Sequence, residues 1–196
     1  MELKLKIINF LSRNAEKSFT INEISNSLEE YYSFVHRTIS NLIKDGIIIK
    51  NKAGKSHLCS LNLGIEKTIA LIQLSEIENR DEFYSINKEL KLVLEDFVNS
   101  ASSQNRIITI ILFGSYAKGT STKGSDIDAL LVTGRKFNVD KIAREIYAKY
   151  GKEMNVVMMT PEDFKKQKGK EIIREIIKNH YVLYGAENFV KMVFGK

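Results

Sequence analysis

The sequence predicts an α/β (α+β) protein in two parts, and three observations carry that expectation. Apolar residues recur at helical spacing up to Gly46 and then give way to a short apolar run and a polar-apolar alternation at 47–61. A β-branched run, Ile107-Ile108-Thr109-Ile110-Ile111-Leu112-Phe113, has the make-up of a buried strand. Charge is blocked along the chain: residues 1–62 carry nine basic and six acidic side chains, 63–104 four and eight, and 105–196 seventeen and ten. Two basic segments flank an acidic one, a placement that suits two parts which each meet an anion, though a lysine-rich solvated surface would give the same balance.

Each element follows in order. Leu3, Leu5, Ile7, Ile8, Phe10 and Leu11 mark a first helix that ends at Ser12-Arg13-Asn14. Thr20 and Glu23 form a capping box for a second helix with Ile21, Ile24 and Leu28 on one face. A third helix starts at Ser33, turns Val35, Ile39, Leu42 and Ile43 inward, and stops at Asp45-Gly46. Ile47 to Lys50, a turn at 51–55 and the alternation from Ser56 to Leu61 predict a β-hairpin. Three helices and a hairpin in this order resemble a winged helix-turn-helix domain, placed at residues 1–62. Helical geometry then turns Ser33, His36, Arg37, Ser40, Asn41 and Lys44 outward, with Lys50, Lys52 and Lys55 about the hairpin tip. Such groups can reach base edges and phosphates, so DNA or another nucleic acid is the favoured partner, and a protein-interaction module is the other reading.

Residues 63–103 predict a helical connector broken at Asn79-Arg80-Asp81, expected to join the two parts and to offer a surface for a homodimer. After the strand at 107–113 come Gly114-Ser115, a short helix over 116–119, a polar loop, and a strand entered through Ser125-Asp126-Ile127-Asp128. A helix over 139–150, a strand over 153–159, a short helix over 162–166, a longer one over 170–179 and an extended piece at 181–185 complete the chain.

The sequence has 196 residues, 43% of them hydrophobic and 28% charged, which permits a substantial core and excludes a disordered chain. Cys59 is the single cysteine, so no disulfide within the chain and no cysteine-based zinc site is expected. The N-terminus is a poor signal peptide and the longest apolar run is too short for a bilayer, giving a cytoplasmic, non-membrane expectation. The three histidines are scattered, which argues against a histidine nucleophile or zinc cluster.

The chemistry concentrates between residues 113 and 128. On a strand, residues two apart share a face, so Asp126 and Asp128 project together while Ile127 faces the core. Two such carboxylates repel unless a cation lies between them, and Mg²⁺ is the hard ion that suits oxygen ligands. The Gly-Ser step supplies the complement: glycine admits a ligand to the backbone, and the amides that open a helix favour an anion.

A strand ending in Gly-Ser, ten residues, then Asp-x-Asp on the neighbouring strand resembles the DNA polymerase beta-like nucleotidyltransferase superfamily. The phrase GSYAKGTSTKGSDID is most similar to its minimal, antibiotic-nucleotidyltransferase-like branch, and the resemblance covers roughly residues 104–185 of a domain placed at 104–196. It implies a small mixed sheet flanked by helices. It implies further that Gly114 and Ser115 hold the β- and γ-phosphates of an NTP, with Lys118, Lys123 and Ser125 nearby. Asp126 and Asp128 would bind two Mg²⁺ ions, one clamping the triphosphate and the other activating an acceptor hydroxyl. The family's third carboxylate falls at Asn155, which can lend a carbonyl oxygen but carries no charge and cannot take a proton. Glu153, two residues earlier, is the substitute on that strand.

Two functions follow as expectations. One is Mg²⁺-dependent transfer of a nucleoside monophosphate from an NTP to an acceptor hydroxyl, with the winged helix targeting it. The other is a non-catalytic DNA-binding regulator or antitoxin-like protein whose transferase domain at most senses nucleotide. Relatives of the minimal branch are often paired with a helical toxin, so a protein partner is implied by resemblance alone.

Overall fold

The computed structural model describes residues 1–104, 107–135 and 137–195; Arg106, where the sequence pattern changes, lies outside them. The chain divides into two compact units, residues 1–78 and 79–196.

The first unit is built on a triangle of helices, α1 (Leu3–Arg13), α2 (Ile21–Leu28) and α3 (Tyr32–Lys44). Ile7, Ile8, Leu11, Ile24, Val35, Ile39 and Leu42 are all nearly or wholly buried, and their spacing of three and four residues is what aims them at one another. Thr20 accepts from the Glu23 amide at 3.2 Å and the Glu23 carboxylate accepts from the Thr20 amide at 2.7 Å, so the capping box forms as its sequence requires. The hairpin follows as β1 (Ile48–Ala53) and β2 (Ser56–Leu61), paired antiparallel. Phe19, in the link between α1 and α2, exchanges both backbone hydrogen bonds with Cys59 of β2, at 2.7 and 3.0 Å. The unit also holds a buried carboxylate, Glu76, met by Asn9 at 3.4 Å and by Arg13 at 3.5 Å.

The helical middle differs from expectation. Helix α4 (Glu66–Ile86) runs through Asn79-Arg80-Asp81 without a break, because that stretch contains neither glycine nor proline and Arg80 satisfies Asp81 by two side-chain hydrogen bonds of 2.9 and 2.8 Å. The break falls at Asn87. Its side-chain amide donates to the Phe83 carbonyl at 2.9 Å and its own carbonyl accepts from Lys91 N at 2.8 Å, so one residue closes α4 and opens α5 (Lys88–Gln104).

The second unit carries a mixed four-stranded sheet of order β5-β4-β3-β6, from β3 (Ile107–Phe113), β4 (Ile127–Thr133), β5 (Met154–Met159) and β6 (Tyr181–Tyr184). β3 pairs antiparallel with both β4 and β6, and β5 lies parallel to β4 across the helix α7 (Asp140–Tyr150). On one face Ile110, Leu112, Ala129 and Leu131 pack with Leu94, Phe97, Ile142 and Ile146 from α5 and α7. The other face is covered by α8 (Pro161–Gln167) over β4 and by α10 (Ala186–Phe194) over β3. Helix α9 (Glu171–Lys178) stands between them in the chain. Helix α10 was not expected from the sequence; Phe189, Val190 and Val193, all buried, are its anchoring stripe. Among the described residues no helix is long and apolar enough to cross a membrane.

Candidate active site at the Gly114 turn

The site forms where β3 runs out. Phe113 is its last residue, opposite Asp128 on β4, and Asp128 in turn lies opposite Asn155 on the parallel neighbour β5. The sheet therefore sets Phe113, Asp128 and Asn155 in one row. Asp128 shares the pleat of Leu130 and Val132, away from the α5 and α7 core.

Beyond Phe113 the chain turns sharply through Gly114, φ +72°, into the five-residue helix α6 (Gly114–Lys118). A Cβ at Gly114 would stand 2.0 Å from Asp128 Oδ2, far inside van der Waals contact. Glycine is required twice here, by its left-handed backbone and by the carboxylate pressed against it. With barely more than one turn, α6 has little macrodipole, so an anion at this corner depends on individual amides rather than on the helix as a whole.

The other oxygen of Asp128 is also engaged: Asn155 Nδ2 donates to Oδ1 at 3.1 Å. Asp126 is exposed, one residue before β4. Glu153 is exposed just before β5, and its carbonyl accepts from Ile127 N at 2.8 Å. Among the described residues no group of three or more His, Cys, Asp or Glu side chains could hold a metal ion, so the acidic character of this corner rests on the Asp126 and Asp128 pair.

The loop that carries Asp126 is tied down from within. Thr120 N donates to the Ser115 carbonyl at 3.0 Å, and Ser125 Oγ accepts from Thr122 N at 2.8 Å, which commits the Ser125 hydroxyl to folding the loop. The Tyr116 hydroxyl donates to the Ser125 carbonyl at 3.4 Å and receives from Lys152 Nζ at 3.3 Å. Lys118 is joined to Glu175 of α9 at 2.8 Å, and Glu175 also accepts from Asn179 Nδ2 at 3.0 Å. The Lys118 ammonium, and then the Asn179 amide, hold the Glu175 carboxyl below its ordinary range. Lys123 is exposed at the tip of the loop.

Sequence reasoning missed Tyr116, Lys152, Glu175 and Asn179 as parts of this corner. Tyr116 lay inside the motif, where its position invited attention; the other three meet the site only through the tertiary fold. In the first unit, Ser33, His36, Arg37, Asn41 and Lys44 are exposed on α3, and Lys50, Lys52 and Lys55 on the hairpin. Ser40 is half-buried and spends its hydroxyl on the His36 carbonyl at 2.7 Å.

Comparison with known proteins bears on the second unit. A family model described as a nucleotidyltransferase domain matches residues 94–184, a segment that contains every side chain of the corner above. A "Putative protein adenylyltransferase" of Methanocaldococcus jannaschii is 37% identical over 94 residues, 46% of this chain and 94% of the relative. The chain belongs to the nucleotidyltransferase domain family. A second protein of the same name and organism is 29% identical over 114 residues, 53% of this chain and 78% of the relative. A solved structure, a toxin-antitoxin with AMP-PNP, is similar at 18% identity with a TM-score of 0.38, over 55% of this chain and 79% of the other. Within the nucleotidyltransferase domain, the mixed sheet and the Gly114 turn are the parts on which the site is built.

Proposed function

We propose that the second unit transfers a nucleoside monophosphate, adenylyl from ATP, to a hydroxyl acceptor, and that Asp126 and Asp128 hold Mg²⁺ for it. The observation that carries this reading is the contact between Gly114 and Asp128, a carboxylate set against a turn with no side chain. That corner fits the ion in the chemistry of its donors, which are hard, anionic oxygens. When bound, Mg²⁺ would neutralise triphosphate charge and lower the pKa of an acceptor hydroxyl.

The chain's own residues supply the rest. Gly114 and Ser115 receive the β- and γ-phosphates, and Lys118, held by Glu175, lies at the edge of the same turn. The acceptor oxygen forms a bond to the α-phosphorus as the bond from that phosphorus to the bridging oxygen breaks, releasing pyrophosphate. Asn155 cannot take the acceptor's proton; it orients Asp128 through its N–H. Glu153, just before β5, is the further carboxylate available for the proton. The names of the M. jannaschii relatives support a protein side-chain hydroxyl as acceptor.

For the first unit we propose a winged helix that meets nucleic acid through Ser33, His36, Arg37, Ser40, Lys44, Lys52 and Lys55. A salt-sensitive gel shift on duplex DNA, lost in Arg37→Ala/Lys44→Ala, tests it; no shift at low salt returns the unit to a protein-interaction role.

One observation favours a second reading. The Asn155 N–H on Asp128 replaces a charge the family's chemistry uses, which suits a regulator or antitoxin-like protein that binds nucleotide without turning it over. Incubation with ATP labelled at the α-phosphate and Mg²⁺ separates the two: label transfer or pyrophosphate release, absent in Asp126→Ala/Asp128→Ala, supports the transferase. Binding without turnover, in Asn155→Asp as well, supports the sensor.

A further inference from the structure

A cavity of about 920 Å³ lies in the second unit, between the turn from α4 into α5 and the helix α6, and its volume is in the range of small-molecule sites. Gly114, Asp126, Asp128 and Asn155 are not among its walls, so it is a separate place from the corner described above. Four rings line it, Phe83, Tyr116, Tyr150 and Tyr181, with Phe83 and Tyr181 stacked at 4.1 Å between centroids. Ile86 and Leu92 also line it and are 77% and 60% exposed, large aliphatic groups that the unit leaves uncovered. Such a wall takes a flat apolar body.

The charges on the wall decide the rest. Lys88 and Lys152 line it together with one carboxylate, Glu89, which leaves a single net positive charge. Lys152 is half-buried, and among the described residues its ammonium has only the neutral Tyr116 hydroxyl as partner, at 3.3 Å. Lys88 is exposed and is joined to no carboxylate among the described residues. A partly desolvated ammonium without a counter-ion favours a ligand that brings one. The polar groups around it are already engaged. Asn87 donates its side-chain amide to the Phe83 carbonyl at 2.9 Å, the Tyr150 hydroxyl donates to Asp96 at 3.0 Å, and Lys149 meets the charge of Asp96 at 2.7 Å. One net positive charge matches a monoanion and not a triphosphate.

We infer that this cavity is a second ligand site, for a small aromatic monoanion such as an aryl carboxylate, with its ring among the four aromatic side chains and its anion on Lys152 and Lys88. The site adjoins the loop that carries Asp126: Gly119 and Ser121 wall it, and the Tyr116 hydroxyl beside Lys152 donates to the Ser125 carbonyl at 3.4 Å. The inference does not rest on the transferase reading, because none of its contacts involves the Gly114 turn or Asp128.

The test is fluorescence titration of the full chain with anilinonaphthalene sulfonate, an aromatic monoanion, and with phenylnaphthylamine, the same rings without the charge. Lys88→Gln/Lys152→Gln should weaken the sulfonate about tenfold and leave the neutral dye unchanged. Ile86→Glu, made at an exposed position, should weaken the sulfonate several-fold, and so should Lys88→Gln alone, which leaves the Lys152 contact with Tyr116 in place. ATP in Mg²⁺ should not displace the dye. Sulfonate binding that is absent, or that is unchanged in all three variants, overturns the site. Equal loss of both dyes in variants that circular dichroism shows to be folded leaves an apolar groove in which the ammonium groups play no part, and overturns the choice of an anion. Displacement by ATP places the dye at the Gly114 corner and overturns the separation of the two sites.

Discussion

Asp128 and Asn155 face each other in register on the parallel pair β4 and β5, and the Asn155 amide donates to Asp128 Oδ1 at 3.1 Å. Gly114 closes on the other oxygen of the same carboxylate. Asp128 is therefore flanked on both sides by groups that carry no charge.

Replacing Asn155 by aspartate should reverse that. In EDTA the new carboxylate repels Asp128, and the hydrogen bond is lost, at a cost of about 1 kcal/mol because the position is exposed. Added Mg²⁺ should recover the melting temperature and bind more tightly than in the unaltered chain. Superimposable melts of the two proteins in EDTA and in Mg²⁺ would count against any charge coupling between these strands.

Gly114→Ala places a methyl group where Asp128 Oδ2 stands and strains a backbone at φ +72°. Destabilisation of about 1–3 kcal/mol in urea unfolding is expected. Nucleotide binding in Mg²⁺ should be lost even where the variant remains folded, which calorimetry after a check by circular dichroism would reveal.

Tyr116→Phe removes the hydroxyl that links Lys152 to the Ser125 carbonyl. The ring keeps its packing, so the melting temperature should hold while affinity for Mg²⁺ and ATP falls several-fold through a looser Asp126. Unchanged affinity would mean the loop is fixed by Thr122 and Ser125 alone.

Lys149, and after it Tyr150, hold the Asp96 carboxyl below its ordinary range, through hydrogen bonds of 2.7 and 3.0 Å. A lowered folded value means that this contribution is complete above the ordinary carboxylate range and is lost as pH falls through the folded value. The pair is substantially exposed, so the effect is a few degrees of melting temperature at most. Asp96→Asn should flatten that part of the acid limb and leave the profile above it lower but parallel.

What the sequence disclosed and what it withheld divides by distance along the chain. The Thr20 and Glu23 capping box, the strand at 107–113 and the helices of the first unit are local patterns, legible because three or four residues decide them. The Gly114 turn and Asp128 were legible as a spacing, and the sheet brings them together. The end of α4 was misplaced because Asn79-Arg80-Asp81 is polar but not helix-breaking, while Asn87 acts through caps on both sides that composition does not advertise. Helix α10 was overlooked although Phe189, Val190 and Val193 form a short apolar stripe. The Lys118 and Glu175 pair joins residues 57 positions apart. No local rule reaches that far.

Cys59 is fully buried in β2, and its backbone is clipped to Phe19 by two hydrogen bonds. Burial also pushes its thiol pKa up, so little of it is thiolate at neutral pH. Because the sequence contains no other cysteine, a thiol reagent applied to the native protein has a single target that reacts only when the hairpin comes away from the α1–α2 link. The chain thus carries its own clock for the opening of the first unit, readable by mass without any engineered label.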